Sequence, residues 1–359
     1  MKKKIYEYDV LRVVTMLLVI IGHTTYYKII TEYGGIDYLS GMKNSNFSMI
    51  YLITSYITKL IYEFHMPLFM FLSGALFYYT FKKTNFYDLI KSKSIRLLVP
   101  FILVSIFYSI PLKYISGYFV DSNSLLKDIV IGQILIQGNT YLWFLPTLFS
   151  IFIIFYIFGK LNFKLLNNKY VVIFILLLMY EISGKISIVL IKNIAIYCIW
   201  FYLGFCFEPL RDKINKLITV KTFLLVVFLF LCLNYFEIVL VDFSKSGILI
   251  KITERIIKTS EVFVGISMTY SASYLISKHN FTKGKVFSLL SKDSFSLYLY
   301  SDPWNYVFIA ILFSYFGNSI FTVNIITLSV YIFRIIFTFL FAELTILIIQ
   351  RFNKVFSRI

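Results

Sequence analysis

The stretch Tyr8–Tyr27, YDVLRVVTMLLVIIGHTTYY, sets Asp9, Arg12 and His23 into an otherwise apolar run. At about 1.5 Å of rise per residue, a helix puts Arg12 and His23 roughly 16 Å apart along its axis, about half of a hydrocarbon core of roughly 30 Å. Ionisable groups at such depth are expensive, so a functional role is the default expectation. The residue types limit the chemistry. A neutral imidazole can take a proton from a hydroxyl, and a guanidinium can hold phosphate through paired N–H donors. Asp9, one turn before Arg12, can orient it. The bland alternative has Arg12 snorkelling to the headgroups and His23 satisfied inside a core.

Further along, EFHMPLFMFLSGALF (63–77) offers Glu63 and His65 just ahead of Pro67, at roughly the depth expected for His23, while packing alone accounts for Ser73-Gly74. KSKSIRLLVPF (91–101) brings Lys93 and Arg96 onto one helical face if a helix has already begun there. Such a pair can hold phosphates or lipid headgroups, although on these residues alone ordinary cytoplasmic charge bias is the better explanation. In YLWFLPTLF (141–149), Trp143 reads as an outer-interface aromatic. Asp302-Pro303 should interrupt a span near its outer end and expose a carboxylate and free backbone groups. Glu237, Arg334 and Glu343 fall within apolar segments and are expected to face the bundle interior. Cys198, Cys206 and Cys232 read as small packing residues rather than a disulfide framework or metal cluster.

The elements that must position these groups are membrane helices. The 359-residue chain is 59% hydrophobic and only 15% charged, with a mean hydropathy of +0.81, a composition outside the soluble range. Apolar segments fall near 8–31, 64–81, 95–116, 141–159, 170–190, 193–208, 222–243, 260–277, 286–316 and 321–350. Residues 49–63 either lie along the outer interface or lengthen the second span, 193–208 are short for a span, and 125–137 are compatible with an amphipathic surface helix. The expected fold is an all-α polytopic bundle of about ten helices, a single domain over 1–359, with both termini cytoplasmic. The orientation comes from the basic residues: 22 fall on the side of the N-terminus and 11, Lys113 among them, on the other. The net charge of +17 is thereby read as topology rather than as a nucleic-acid surface. The first apolar run lacks a small-residue cleavage site and is read as a retained span. No P-loop, dinucleotide glycine fingerprint, nucleophile elbow or zinc spacing occurs, which removes the usual soluble-enzyme classes.

Taken in order, Arg12-x10-His23, FHMPLFMFLSG (64–74), Lys93-x-x-Arg96 and YLWFLPTLF (141–149) resemble the motifs of acyltransferase family 3, the integral membrane acyltransferases, and the resemblance covers the whole chain. It implies transfer of an acyl group, usually acetyl, from cytosolic acyl-CoA to a hydroxyl of an extracytoplasmic or lipid-linked envelope glycan. The setting it implies is multi-pass, in a bacterial plasma membrane, with membrane lipids as further partners, no nucleic acid, no metal and no permanently bound cofactor. His23 would be the general base, with an acyl-histidine intermediate as the other route. Asp9 would orient Arg12, and Arg12, Lys93 and Arg96 would hold the donor phosphates. Glu63, His65, Trp143 and Asp302 are acceptor-side candidates. Two departures stand out. Lys93 replaces the first of two arginines common in relatives, keeping the charge but losing the two-pronged grip. Tyr300-Ser301-Asp302 stands where many relatives carry a histidine. The competing class is a transporter or flippase for polysaccharide or lipid-linked sugar, in which the same charged side chains would line a path.

Overall fold

In the computed structural model, residues 5–42, 46–120, 122–160, 168–240 and 248–356 are described. Lys2, Lys3, Lys4, Lys43, Lys164, Lys245 and Arg358, which entered the charge count, lie outside them. Helix α1 (Tyr6–His23) begins with Glu7 and Asp9 in its first turn and closes on His23, a charge order that suits the helix dipole. The apolar run does not continue as helix to residue 31. Instead β1 (Lys28–Thr31) pairs antiparallel with β2 (Gly34–Asp37), Lys28 opposite Asp37. The sequence KIIT is β-branched, and Gly34 supplies φ = 103° in the turn, where a Cβ would stand 2.8 Å from the Tyr118 carbonyl oxygen.

Helix α2 (Met49–Phe81) is one 33-residue helix capped by the Ser48 side chain, so residues 49–63 lengthen it and Pro67 lies in its interior. Helix α3 (Phe86–Ile115) contains two π-turns, at Ser94–Leu98 and Ser105–Ser109. Each stands just before a proline, Pro100 and Pro111, and the widened ladder carries backbone carbonyls clear of a ring that would otherwise clash one turn back. A short helical stretch α4 (125–134), mostly π, replaces the expected surface helix over 125–137. Then come α5 (Tyr141–Lys160), α6 (Lys169–Ile182), α7 (Val189–Asn215), α8 (Val220–Leu240), α9 (Ile248–Ser277), α10 (Lys285–Phe316) and α11 (Asn324–Phe356).

Among the described residues six helices are long and apolar enough to cross a bilayer: α2, α3, α5, α7, α8 and α11. Helix α6 has only 14 residues, short of the span expected over 170–190. Helices α1, α9 and α10 reach 18, 30 and 32 residues and carry the polar side chains described below. The chain is therefore an α-helical membrane protein, with one small hairpin among the described residues.

The chain falls into two compact units: 1–22, 57–78 and 200–294 form one, and 23–56, 79–199 and 295–359 the other. In the first, α2 and α7 touch through glycines. A Cβ on Gly74 would collide with the Phe201 carbonyl oxygen, and one on Gly204 with that of Phe71. Small residues permit that backbone approach. A buried polar network links Tyr8 to Glu208, Tyr270 to Asn215 (2.8 Å) and Asn215 to Glu7 (3.3 Å). In the second, the hairpin seats Ile36 beside Tyr27, Tyr118, Tyr306, Ile309 and Phe321 in a common core.

Candidate functional site

The second unit assembles the main site from four elements. His23, last residue of α1, lies with Nδ1 2.5 Å from Oδ1 of Asp302 on α10, and both side chains are buried. Tyr26 stacks on the imidazole, ring centroids 4.7 Å apart. Asp302 was expected at an exposed break in its span. Helix α10 instead runs unbroken through Pro303, and Asp302 is 1% exposed. The physical reason is local. Pro303 has no N–H for the Leu299 carbonyl one turn earlier, and that carbonyl accepts a hydrogen bond of 2.5 Å from the Tyr141 hydroxyl. Tyr298 returns a 2.8 Å bond to the Tyr141 carbonyl, and Tyr108 donates to the Tyr300 carbonyl at 3.1 Å. With its backbone satisfied from outside, the helix can keep its proline.

Around this pair stand two buried cations. Lys113, counted among the outer-loop cations, is wholly buried on α3 and donates to Gln133 Oε1 (3.0 Å) and to the Asn139 carbonyl (2.5 Å). Its ammonium lies 4.5 Å from the ring centre of Tyr118 and 5.0 Å from that of Tyr306. Asn139 also donates to the Tyr306 hydroxyl at 3.2 Å. Burial pushes the phenol of Tyr118, in the loop after α3, up to about 12, so it remains protonated. Arg334 on α11, expected in the interior, is wholly buried, donates to the Asn305 carbonyl at 3.3 Å and lies over the Tyr27 ring. Lys113, Arg334, Tyr118, Tyr141, Tyr298 and Tyr306 all feel the Asp302 charge. Neither Asp302 oxygen meets a hydrogen-bond donor among the described residues, so its buried charge is offset by the His23 contact and by these two cations.

The other candidates are placed as follows. Arg12 and Asp9 belong to the first unit and pair at 3.4 Å, the i,i+3 contact their spacing allows. Lys93 and Arg96 belong to the second. Lys93 closes an α-helical stretch and Arg96 falls in the first π-turn, so they do not continue one regular helical face. The Lys93 ammonium sits 3.5 Å over the Phe152 ring while Arg96 is exposed, and the two charges act on each other. Trp143 stacks on Tyr197 at 5.0 Å. His65, in the first unit, is buried with Nδ1 2.9 Å from the Ile61 carbonyl one turn back, a bond that ties it to its own helix. Glu63 joins Glu237 and Glu261 in a carboxylate group within the same unit. Glu343 is half-buried.

Lys113, Tyr141, Gln133, Asn139 and Glu261 were not singled out from the sequence. A lysine two residues after Pro111 inside an otherwise apolar segment was the available signal for the first. Chemically, the arrangement presents an imidazole held by a carboxylate in a water-poor core, with cationic and phenolic donors nearby. That constellation suits proton transfer from a hydroxyl and stabilisation of developing negative charge.

No curated protein and no solved structure matches the chain. A family model described as an acyltransferase domain matches residues 5–345, nearly the whole length, and the chain thus belongs to acyltransferase family 3, the membrane acyltransferases.

Proposed function

We propose that this protein is a membrane-bound O-acyltransferase of a bacterial plasma membrane. It moves an acyl group, acetyl by preference, from cytosolic acyl-CoA to a hydroxyl of an extracytoplasmic or lipid-linked glycan. The observation that carries the reading is the buried 2.5 Å contact between His23 Nδ1 and Asp302. Asp302 passes from acceptor-side candidate to orienting carboxylate: its negative charge beside Nδ1 favours a proton on that nitrogen, and so the tautomer in which Nε2 is basic. Nε2 takes the proton of the acceptor hydroxyl as its oxygen attacks the thioester carbonyl. The tetrahedral intermediate expels the CoA thiolate, which leaves with the proton from the imidazolium, and the glycan ester remains. Lys113 and the Tyr118 and Tyr306 phenols supply positive charge and donors for the transient oxyanion. Arg12 in the first unit and Lys93 and Arg96 in the second are each assigned to donor phosphates, and the cytosolic side assigned to them rests on the two-to-one bias of basic residues in the sequence.

Acyl-CoA turnover in proteoliposomes tests this. Proton transfer of this kind contributes about 10²–10⁴-fold, so His23→Ala is expected to lower kcat by that factor. Arg12→Ala should lower turnover too, and wild-type rates in both variants would end the proposal. Lys93→Ala and Arg96→Ala should raise the donor KM while leaving acceptor dependence unchanged. An unchanged donor KM in both removes the phosphate assignment. Loss of glycan acyl groups on gene deletion, with glycan export intact, separates this reading from a transporter.

A further inference from the structure

Within the first unit, Glu63 on α2, Glu237 on α8 and Glu261 on α9 bring one carboxylate oxygen each to within 4.8 Å of the others. They lie 174 and 24 residues apart in sequence, so only tertiary packing collects them. Like charges do not gather in a low-dielectric setting unless something compensates them. Two lysines do part of that. Lys59 lies 2.5 Å from Glu237 and Lys258 lies 2.7 Å from Glu254. Those pairings match two carboxylates with two ammonium groups and leave Glu63 and Glu261 without an ion pair among the described residues. Glu261 is the extreme case. It is 0% exposed, and neither of its oxygens meets a hydrogen-bond donor. One turn before Glu237 on α8, Asn234 is also 0% exposed, and its Oδ1 has no donor while its Nδ2 bonds the Phe230 carbonyl.

We infer that Glu63, Glu237 and Glu261 form a binding site for one hard divalent cation of the Ca²⁺ class. Charge supports it: Glu63 and Glu261 have no ion pair of their own among the described residues, because the two lysines that act on them are paired with Glu237 and Glu254. Ligand chemistry supports it, because the group offers only carboxylate oxygens, and Asn234, one turn before Glu237, carries a buried carbonyl oxygen that has no donor. The three oxygens lie within 4.8 Å of one another, inside the span of about 5 Å that ligands on opposite sides of Ca²⁺ can reach at about 2.3–2.6 Å each, and the flexible coordination of Ca²⁺ suits a group collected from three helices. Glu63 is only half-buried, which leaves an entry for the ion. The site is distinct from the His23–Asp302 pair in residues and in unit, and its function is to tie α2 to the α8–α9 hairpin.

The test is Ca²⁺ binding to the purified full-length protein in detergent after EDTA treatment, by isothermal titration and thermal unfolding. Saturable binding of one Ca²⁺ per chain is expected, with a rise in Tm reversed by EDTA. Glu261→Gln should weaken binding by at least about tenfold, and Glu63→Gln should do the same at a half-exposed position that spares the fold. If Glu261→Gln does not fold, Glu63→Gln decides. Three results would overturn the site: no saturable binding to folded protein at millimolar Ca²⁺, unchanged affinity in the folded variants, or equal protection by Ca²⁺ and Mg²⁺ in wild type and variants.

Discussion

Replacing Asp302 by asparagine keeps size and shape but removes the charge opposite His23. The wild-type contact is 2.5 Å between Nδ1 and Oδ1, which sets the charge centres of an imidazolium and the carboxylate roughly 4 Å apart. At an effective dielectric of about 20 that attraction is about 4 kcal/mol. A transition state in which half the proton has moved gains about 2 kcal/mol of it, and full transfer all of it. The expected fall in kcat is therefore between about 30-fold and about 10³-fold. An asparagine that turns its amide N–H to Nδ1 adds to the loss by favouring the tautomer that has no lone pair at Nε2. The assay is thiol release from acyl-CoA in proteoliposomes, normalised to folded protein, because Lys113 and Arg334 lose a counter-charge and Tm should fall. The decisive measurement is the double variant. If Asp302 acts through His23, then Asp302→Asn should cost less than about threefold in a His23→Ala background. Full activity in the single variant, or the same factor lost in both backgrounds, would refute the orienting role.

Two packing predictions follow from the same geometry. Tyr141→Phe strips the donor from the Leu299 carbonyl and should destabilise the protein by about 1–3 kcal/mol, the cost of a buried unsatisfied acceptor, read as a lower Tm. In a Pro303→Ala background the restored N–H can satisfy that carbonyl, so the cost of Tyr141→Phe should shrink, and an undiminished cost would contradict the capping role. Gly74→Ala drives a methyl into the Phe201 carbonyl, and because the obstacle is backbone, α2 and α7 must separate. Its loss of stability should exceed that of Ser73→Ala by at least about 2 kcal/mol, and equal melting temperatures would contradict the close contact.

Hydropathy carried the helical membrane class into plain view, and spacing alone put Asp9 beside Arg12 and marked His23. The identity of its partner was not legible. Asp302-Pro303 reads locally as a break, and only Tyr141, some 160 residues upstream, turns it into a continuous helix with a buried carboxylate. The hairpin at 28–37 hid inside an apolar run because β-branched strand residues and membrane-helix residues share the same hydrophobicity. The carboxylate group of Glu63, Glu237 and Glu261 was invisible for another reason: its members lie on three helices, and no local pattern links them. Lys113 was misread because charge counting treats every lysine near a segment end as a loop cation, whereas this one faces Gln133 and two phenols.

The π-turns of α3 also determine where Lys113 points. Each adds one residue to a turn, so the helix beyond it is rotated by about 100° relative to a regular α-helix, and two of them shift Lys113 by about 200° from the face an unbroken ladder would assign. The lysine therefore owes its place to residue count as much as to residue type. Removing one residue from 94–98 would leave every downstream side chain unchanged in identity and turn all of them to a new bearing, with the ammonium swung away from its carbonyl and rings. In this helix chain length is itself a coordinate of the site, and a single-residue deletion far from Asp302 could silence it as surely as a substitution within it.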